Sequence, residues 1–383
     1  MKINKILIIS LFLTTFLYSN LRDEFPSYSY VLTEFSVEDG FIDNPDFVRF
    51  INKNKRNYRE RFIEAVRRGG LVIPTMKEMM YKHDISPLFI YISMIESEFN
   101  TNATSRTGAG GLWQFTKATG GDFNLRITHE IDERYNPIQA TDAAIKYLYK
   151  MNDNLNSWYL TTMAYNCGNG CVNKSISRAG SRDLGVLINP KNNYIKKETR
   201  NYIQKILLMA MIGENYLFKD DDMMGEMMNR VNSDSITPVF VRAGEDLGNL
   251  ANILKMDRRF LEKINPHLKE GHSPHNSRYA INIPTSRVNF FYARYNNRRH
   301  HQQGSAQREY AHLSRPQQKS YKRERVERRF INYTVKRDDS IFKIAQQHRV
   351  FIGELAKVNN NFRSGFYIGQ KINIPQHNRY AKR

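Results

Sequence analysis

Apolar positions along this 383-residue chain follow a helical rhythm first and a different one after about residue 235. From Asp46 to Arg68, the residues Phe47, Phe50, Ile51, Tyr58, Phe62, Ile63 and Val66 recur at roughly helical spacing, with charges between them. That pattern predicts an amphipathic helix, closed by Gly69-Gly70. A second helix is expected from about Pro74 to His83, where Met76, Met79 and Met80 read as core filler. The run Leu88–Ile95 is apolar on most faces, as in a buried helix, with Ser86 as N-cap and Pro87 at its first position. Further helices are expected over Ile138–Met151, around Trp158–Met163 and from Glu198 through Met211. Residues 20–45, punctuated by Pro26, Gly40 and Pro45, read as irregular. Nothing alternates here as a strand would, so this part is expected to be all-α.

Beyond residue 235 an internal repeat appears. Val241-Arg242-Ala243-Gly244-Glu245-Asp246-Leu247 begins one copy and Val335-Lys336-Arg337-Asp338-Asp339-Ser340-Ile341 the other. Leu247, Leu250, Ala251, Met256, Leu261, Ile264 and Asn265 overlay Ile341, Ile344, Ala345, Val350, Leu355, Val358 and Asn359 without a gap. Both copies end in Ile-Asn-Ile-Pro, at Ile281–Pro284 and Ile372–Pro375. Each reads as strand, helix, helix, strand, a module whose thin core depends on keeping its apolar positions.

Composition narrows the partners. The chain has 58 Lys+Arg against 38 Asp+Glu, which favours an anionic polymer or surface. Lys2 and Lys5 precede an apolar run from Ile6 to Leu17 that has the size of a signal-peptide core, with Ser19 before a cut. The competing reading of that run is an uncleaved anchor. No cysteine lies nearby to carry a lipid. Export to the periplasm or cell envelope is therefore expected, and nucleic acid is demoted as a partner. Asn296–Arg329 holds ten Lys/Arg and three Glu with few aliphatic residues, so it reads as a basic flexible linker. It serves either as a plain tether or as an electrostatic grip on an anionic wall. The two cysteines, Cys167 and Cys171, make no metal site by themselves; they read equally as a local disulfide or as small residues around a turn.

The chemistry centres on Glu96. A carboxyl at the end of an apolar helix loses water and faces the negative helix terminus, and both raise its pKa. A glutamic acid that keeps its proton near neutrality can act as a general acid. Glu98 is the rival acid, but on a helix it lies about 200° round from Glu96 and reads as structural or solvated. Trp113 and Phe115 offer flat faces for sugars or bulk for a core.

Glu96-Ser97-Glu98-Phe99-Asn100, then Ser105 through Gln114, then Ala164–Gly170, then Glu198–Ile206 resemble, in this order, the four motifs of the lysozyme-like lytic transglycosylases. With the helical stretch before them and the repeats after them, the chain is most similar to the membrane-bound D type. The repeats resemble LysM modules, which bind glycans containing N-acetylglucosamine. The resemblance implies a mainly α fold: a lysozyme-like all-α catalytic domain followed by small βααβ LysM-like modules. It implies a signal peptide over 1–19, an N-terminal helical extension over 20–80 and the transglycosylase domain over 81–225. A LysM-like module over 236–287, the basic linker over 288–330 and a LysM module over 331–376 complete it.

By the same resemblance Glu96 is the catalytic acid and base, and Ser105 the hydroxyl that orients it. Gln114 is a sugar-binding amide, and Asn166 and Tyr202 lie near the carboxyl and the substrate N-acetyl group. The implied reaction cleaves peptidoglycan between N-acetylmuramic acid and N-acetylglucosamine. One glutamate protonates the glycosidic oxygen, then takes a proton from the C6 hydroxyl as a 1,6-anhydro ring closes, with no metal and no cofactor. Cys167 stands where the family usually has Ala, and Thr116-Lys117 where it has Met-Pro. A muramidase of the same fold, and a non-catalytic wall-binding protein built on its LysM modules, are the alternatives.

Overall fold

The computed structural model describes residues 20–216, 235–295, 329–336, 344, 347, 348, 350, 355, 358, 359 and 369–376. The signal segment expected over 1–19 and most of the linker lie outside them. The chain divides into two compact units, Met1–Met79 with Pro87–Ser235 and Met80–Ser86 with Ile236–Arg383.

In the first unit the stretch expected to be irregular folds instead as two short helices, α1 (Leu21–Glu24) and α2 (Tyr28–Glu34), and a 3-10 turn over Asp39–Asp43. Pieces this short are not stable on propensity alone. They are held by burial of Phe25, Val31, Leu32, Phe35 and Ile42, each fully removed from solvent. Asn215 ties them down further: its Oδ1 accepts from Ser27 Oγ at 2.6 Å and its Nδ2 donates to Glu24 O at 2.9 Å. Helix α3 (Pro45–Gly69) has Pro at its first turn and Asn44 as N-cap, accepting from Asp46 N and Phe47 N. Its buried stripe runs through Phe47, Ile51, Tyr58, Phe62 and Val66. Then come α4 (Val72–Lys82) and a 3-10 turn over Pro87–Phe89, where a helical start was expected at Pro87. The turn leads into α5 (Ile90–Ser97).

Helix α6 (Lys117–Asp122), a 3-10 turn at Glu133–Tyr135, α7 (Pro137–Leu155), α8 (Trp158–Cys167), α9 (Asn169–Ala179), α10 (Leu184–Ile188) and α11 (Lys197–Tyr216) complete the unit. Helix α11 is its axis, packing against α3, α8, α5 and α2. Ile203, Ile206, Leu207, Leu208, Met211 and Ile212 on it are almost wholly buried. At about 1.5–3 kcal/mol for each large apolar side chain removed from water, that helix outweighs any local propensity in fixing the arrangement.

In the second unit β1 (Ile236–Val241), α12 (Leu247–Leu254), α13 (Arg258–Lys263) and β2 (Tyr279–Pro284) form the expected βααβ module. The strands pair antiparallel from Ile236↔Pro284 to Val241↔Tyr279. A further helix, α14 (Val288–Tyr295), lies where the basic linker was expected to begin. It packs on α12, burying Phe291, and Tyr295 donates a 2.8 Å hydrogen bond to the buried Glu245 carboxylate.

In the second copy β3 (Arg329–Thr334) and β4 (Lys371–Gln376) pair with the same antiparallel sense, over a core of Val335, Ile344, Val350, Leu355, Ile372 and Ile374. One side-chain clamp recurs in both copies. Asn265 Nδ2 donates to Leu261 O and Asn282 O at 2.9 and 2.7 Å, and its Oδ1 accepts from Asn282 N at 2.7 Å. Asn359 does the same to Leu355 O, Asn373 O and Asn373 N, each at 2.7 Å. In the first copy Asn265 is buried, and a buried amide with its donors and its acceptor satisfied fixes the helix end to the closing strand.

Candidate active site

The site is assembled on the end of α5. At eight residues that helix is held by packing rather than propensity. Ser93 and Ser97, one turn apart, both donate to Leu112 O, at 2.8 and 2.9 Å. These bonds pin the glycine-rich loop to the helix beneath Glu96. The loop is stapled from the other side by Arg134. Its guanidinium pairs with Asp132 at 2.7 Å and donates to Gly108 O and Phe115 O, all in a water-poor interior. Gly111, with φ +76°, is required there, because a Cβ would sit 1.9 Å from Arg134 O.

The helix ends at Glu98, which adopts a left-handed backbone (φ 51°) as its cap. Its carboxylate accepts from Arg61 at 2.6 Å and Arg68 at 3.3 Å. Burial pushes that carboxyl up, but the two guanidiniums together hold it below the usual range. Glu98 is therefore an ionised tie between α3 and α5 and not an acid.

Glu96 is its opposite. The carboxyl accepts a 2.5 Å hydrogen bond from the Tyr202 phenol on α11, its one hydrogen-bond partner among the described residues. Burial dominates and pushes its pKa up; the Tyr202 bond pulls it down, the Glu198 charge pushes it up and Lys205 pulls it down. The balance stays above the ordinary glutamate value. Burial and the charge of Glu96 keep the Tyr202 phenol well above its usual range, so it remains a donor. The Tyr165 phenol is pushed well up too, by burial first and by Glu96 next, and donates to Trp113 O at 2.8 Å. The Tyr147 ring lies 5.4 Å from that of Tyr165 and 5.2 Å from that of Phe123.

Asn166, the residue after Tyr165, accepts at Oδ1 from Thr199 Oγ1 at 2.6 Å, which ties the end of α8 to the first turn of α11. Gln114 has φ +48°, and its Nε2 donates to Gly111 O at 2.8 Å and Ala103 O at 3.2 Å. Among the described residues no hydrogen bond engages its side-chain carbonyl.

One expectation is corrected. Ser105 does not bond Glu96: its hydroxyl accepts from Ala109 N at 3.0 Å and pairs with Thr107 Oγ1 at 3.0 Å, closing its own turn. Short hydroxyl side chains commonly satisfy nearby backbone in this way. Of the two readings open for Trp113 and Phe115, core packing holds: Trp113 is fully buried, with its indole N–H on Thr141 Oγ1 at 3.0 Å, and Phe115 is buried with it. Cys167 and Cys171 are joined as a disulfide. Tyr147, Tyr165, Glu198 and Lys205 were not singled out as site residues from the sequence, although Tyr165, Glu198 and Lys205 stand inside quoted motifs.

Residues 74–187 match the family model described as the transglycosylase SLT domain, and residues 333–375 match the LysM domain. The SLT match covers residues 74–187 alone, less than half of the chain. Glu96, Ser105, Gln114 and Asn166 fall within it, and Tyr202 lies beyond its matched end. Over 139 residues the chain is 32% identical to the membrane-bound lytic murein transglycosylase D of Escherichia coli K12, covering 35% of this chain and 29% of that protein. Over 121 residues it is 35% identical to the peptidoglycan transglycosylase gp16 of Escherichia phage T7, covering 31% of this chain and 9% of that one. Among solved structures, the lytic transglycosylase Slt of Pseudomonas aeruginosa aligns with a TM-score of 0.31 and 24% identity, over 37% of this chain and 24% of that one. The chain thus spans less than a third of the length of these relatives. Beside the SLT domain, no described helix is long and apolar enough to cross a membrane.

Proposed function

We propose that the protein is a lytic transglycosylase of peptidoglycan, with Glu96 as its single catalytic acid and base. The observation that carries this reading is the state of Glu96: half-buried, above its ordinary pKa and bonded to one phenol on the central helix. The name of the bacterial relative and the SLT domain supply the substrate class.

In this reading Glu96 protonates the oxygen linking N-acetylmuramic acid to N-acetylglucosamine, the bond to C1 breaks, and the resulting carboxylate is steadied by Tyr202. The same carboxylate takes the proton of the muramyl C6 hydroxyl as that oxygen closes on C1. The product is a 1,6-anhydro end, and Glu96 regains its proton. The Gln114 carbonyl holds a sugar beside the bond, and Asn166 supports the N-acetyl side. The LysM modules hold the enzyme on the wall, after export to the periplasm or envelope.

A muramidase is the second reading, favoured by one observation: Glu198 is exposed at the start of α11 and near enough to act on Glu96. A second carboxylate could activate water. Digestion of isolated wall by the Glu96→Gln variant tests the assignment common to both. Loss of at least about a thousandfold in rate is expected, and retained digestion would refute it.

A further inference from the structure

The disulfide belongs to none of the roles above. We propose that the Cys167–Cys171 bond is a positioning element of the active site, and that its reduction by a dithiol lowers turnover reversibly while the fold persists. The inference rests on the reading of Glu96 as the catalytic acid.

Tyr165, Asn166 and Cys167 are the last three residues of α8. The first donates to the loop at Trp113 O and the second is tied to α11 at Thr199, one turn before Tyr202. Immediately afterwards the chain reverses at Gly168, whose φ of +84° and ψ of 154° belong to a backbone region other residues scarcely visit. Helix α9 then starts, with Cys171 in its first turn. The corner has little side-chain packing of its own: a Cβ placed at Gly168 or at Gly170 would meet nothing within 4 Å. The covalent bond bridges this glycine corner, with Cα atoms 5.8 Å apart.

So short a ring removes little freedom from the unfolded chain compared with a long one, so its influence is concentrated on local geometry. Released, the corner can pivot at Gly168 and carry Tyr165 and Asn166 with it. A misplacement of about 1 Å in a positioning group can cost as much as a hundredfold in rate. Both cysteines are half-buried, within reach of a small reductant. In the reaction a thiolate of the dithiol attacks one sulfur and the S–S bond breaks. The second thiol then resolves the mixed disulfide. Two electrons and two protons pass to the cysteines, and the dithiol leaves as its own disulfide.

The test uses the full-length protein, oxidised and after treatment with dithiothreitol, with thiols counted, far-ultraviolet circular dichroism recorded and turnover measured on soluble glycan strands. The expected result is two thiols, an unchanged helical signal, kcat lower by about tenfold with KM within about twofold, and recovery on reoxidation. The Cys167→Ala/Cys171→Ala double variant is expected to run at the reduced rate and ignore the reductant. Four results would each overturn the proposal: full speed with two counted thiols, a double variant as fast as the oxidised protein, loss of activity together with helical signal, or a bond that resists excess dithiothreitol. Glu96→Gln is expected to be inactive in both redox states. Activity in that variant would sink the catalytic reading while leaving the redox comparison of the parent protein interpretable.

Discussion

Exchanging Tyr202 for Phe and Glu198 for Gln should move Glu96 in opposite directions. The phenol lowers its pKa and the neighbouring carboxylate raises it, so Tyr202→Phe shifts the alkaline limb of kcat/KM up and Glu198→Gln shifts it down. With Glu96 as the proposed acid, activity of the parent protein is expected to fall as pH rises through its pKa, because a general acid must enter the reaction protonated. A pH–rate series on the three proteins reads both signs; shifts in the same direction would contradict the assignment.

The same residue carries a stability consequence. A carboxyl raised in the fold favours folding below its unfolded pKa and loses that contribution as pH rises through the folded value. Glu96→Gln should therefore raise the melting temperature at pH 7–8, with the gain shrinking towards about pH 4. The raised carboxyl of Glu96 was legible from its place at the end of an apolar run, and helix phase set Glu98 apart from it; the structure gives the two carboxyls opposite shifts. The actual partners of Ser105 and Trp113 were not legible, because a turn hydroxyl and an indole satisfy whichever neighbour the tertiary fold supplies.

Among the elements, the loop between α5 and α6 tolerates little change at Gly111. Gly111→Ala would drive a Cβ into Arg134 O and force a left-handed backbone, with an expected loss of more than about 3 kcal/mol by urea unfolding. Gly170→Ala, in an open helical position of α9, serves as its control, with an expected change of at most about 1 kcal/mol and in the stabilising direction.

The tie between α3 and α5 is weaker. Arg61 is 41% exposed and Glu98 33%, so Arg61→Ala should cost only about 1 kcal/mol, measured at neutral pH. Glu98 is held below its unfolded pKa, so that contribution exists above the unfolded value and fades as pH falls through the folded one.

The long helices were legible to within a few residues, since their apolar stripes are long. Helices α1 and α2 escaped because four and seven residues show no period. Helix α14 escaped because its charges and position resemble the linker that follows, while Phe291 and Tyr295 act through contacts far away in sequence.

At the scale of the molecule, catalysis and wall binding are predicted to be separable. Removing residues 331–383 should weaken sedimentation with insoluble peptidoglycan more than it slows cleavage of soluble fragments; equal loss of both would count against a targeting module. With a formal net charge of +20, whole-chain binding to anionic wall should also weaken as salt rises. The repeat was legible from its apolar register, and the recurring Asn clamp now gives that register a physical cause.

One half-buried glutamate is expected to close an anhydro ring without consuming water. Digesting isolated wall in water enriched in oxygen-18, and weighing the products by mass spectrometry, tests it most directly. The expected products are 1,6-anhydro ends carrying no label. Reducing ends that carry one labelled oxygen each would contradict it.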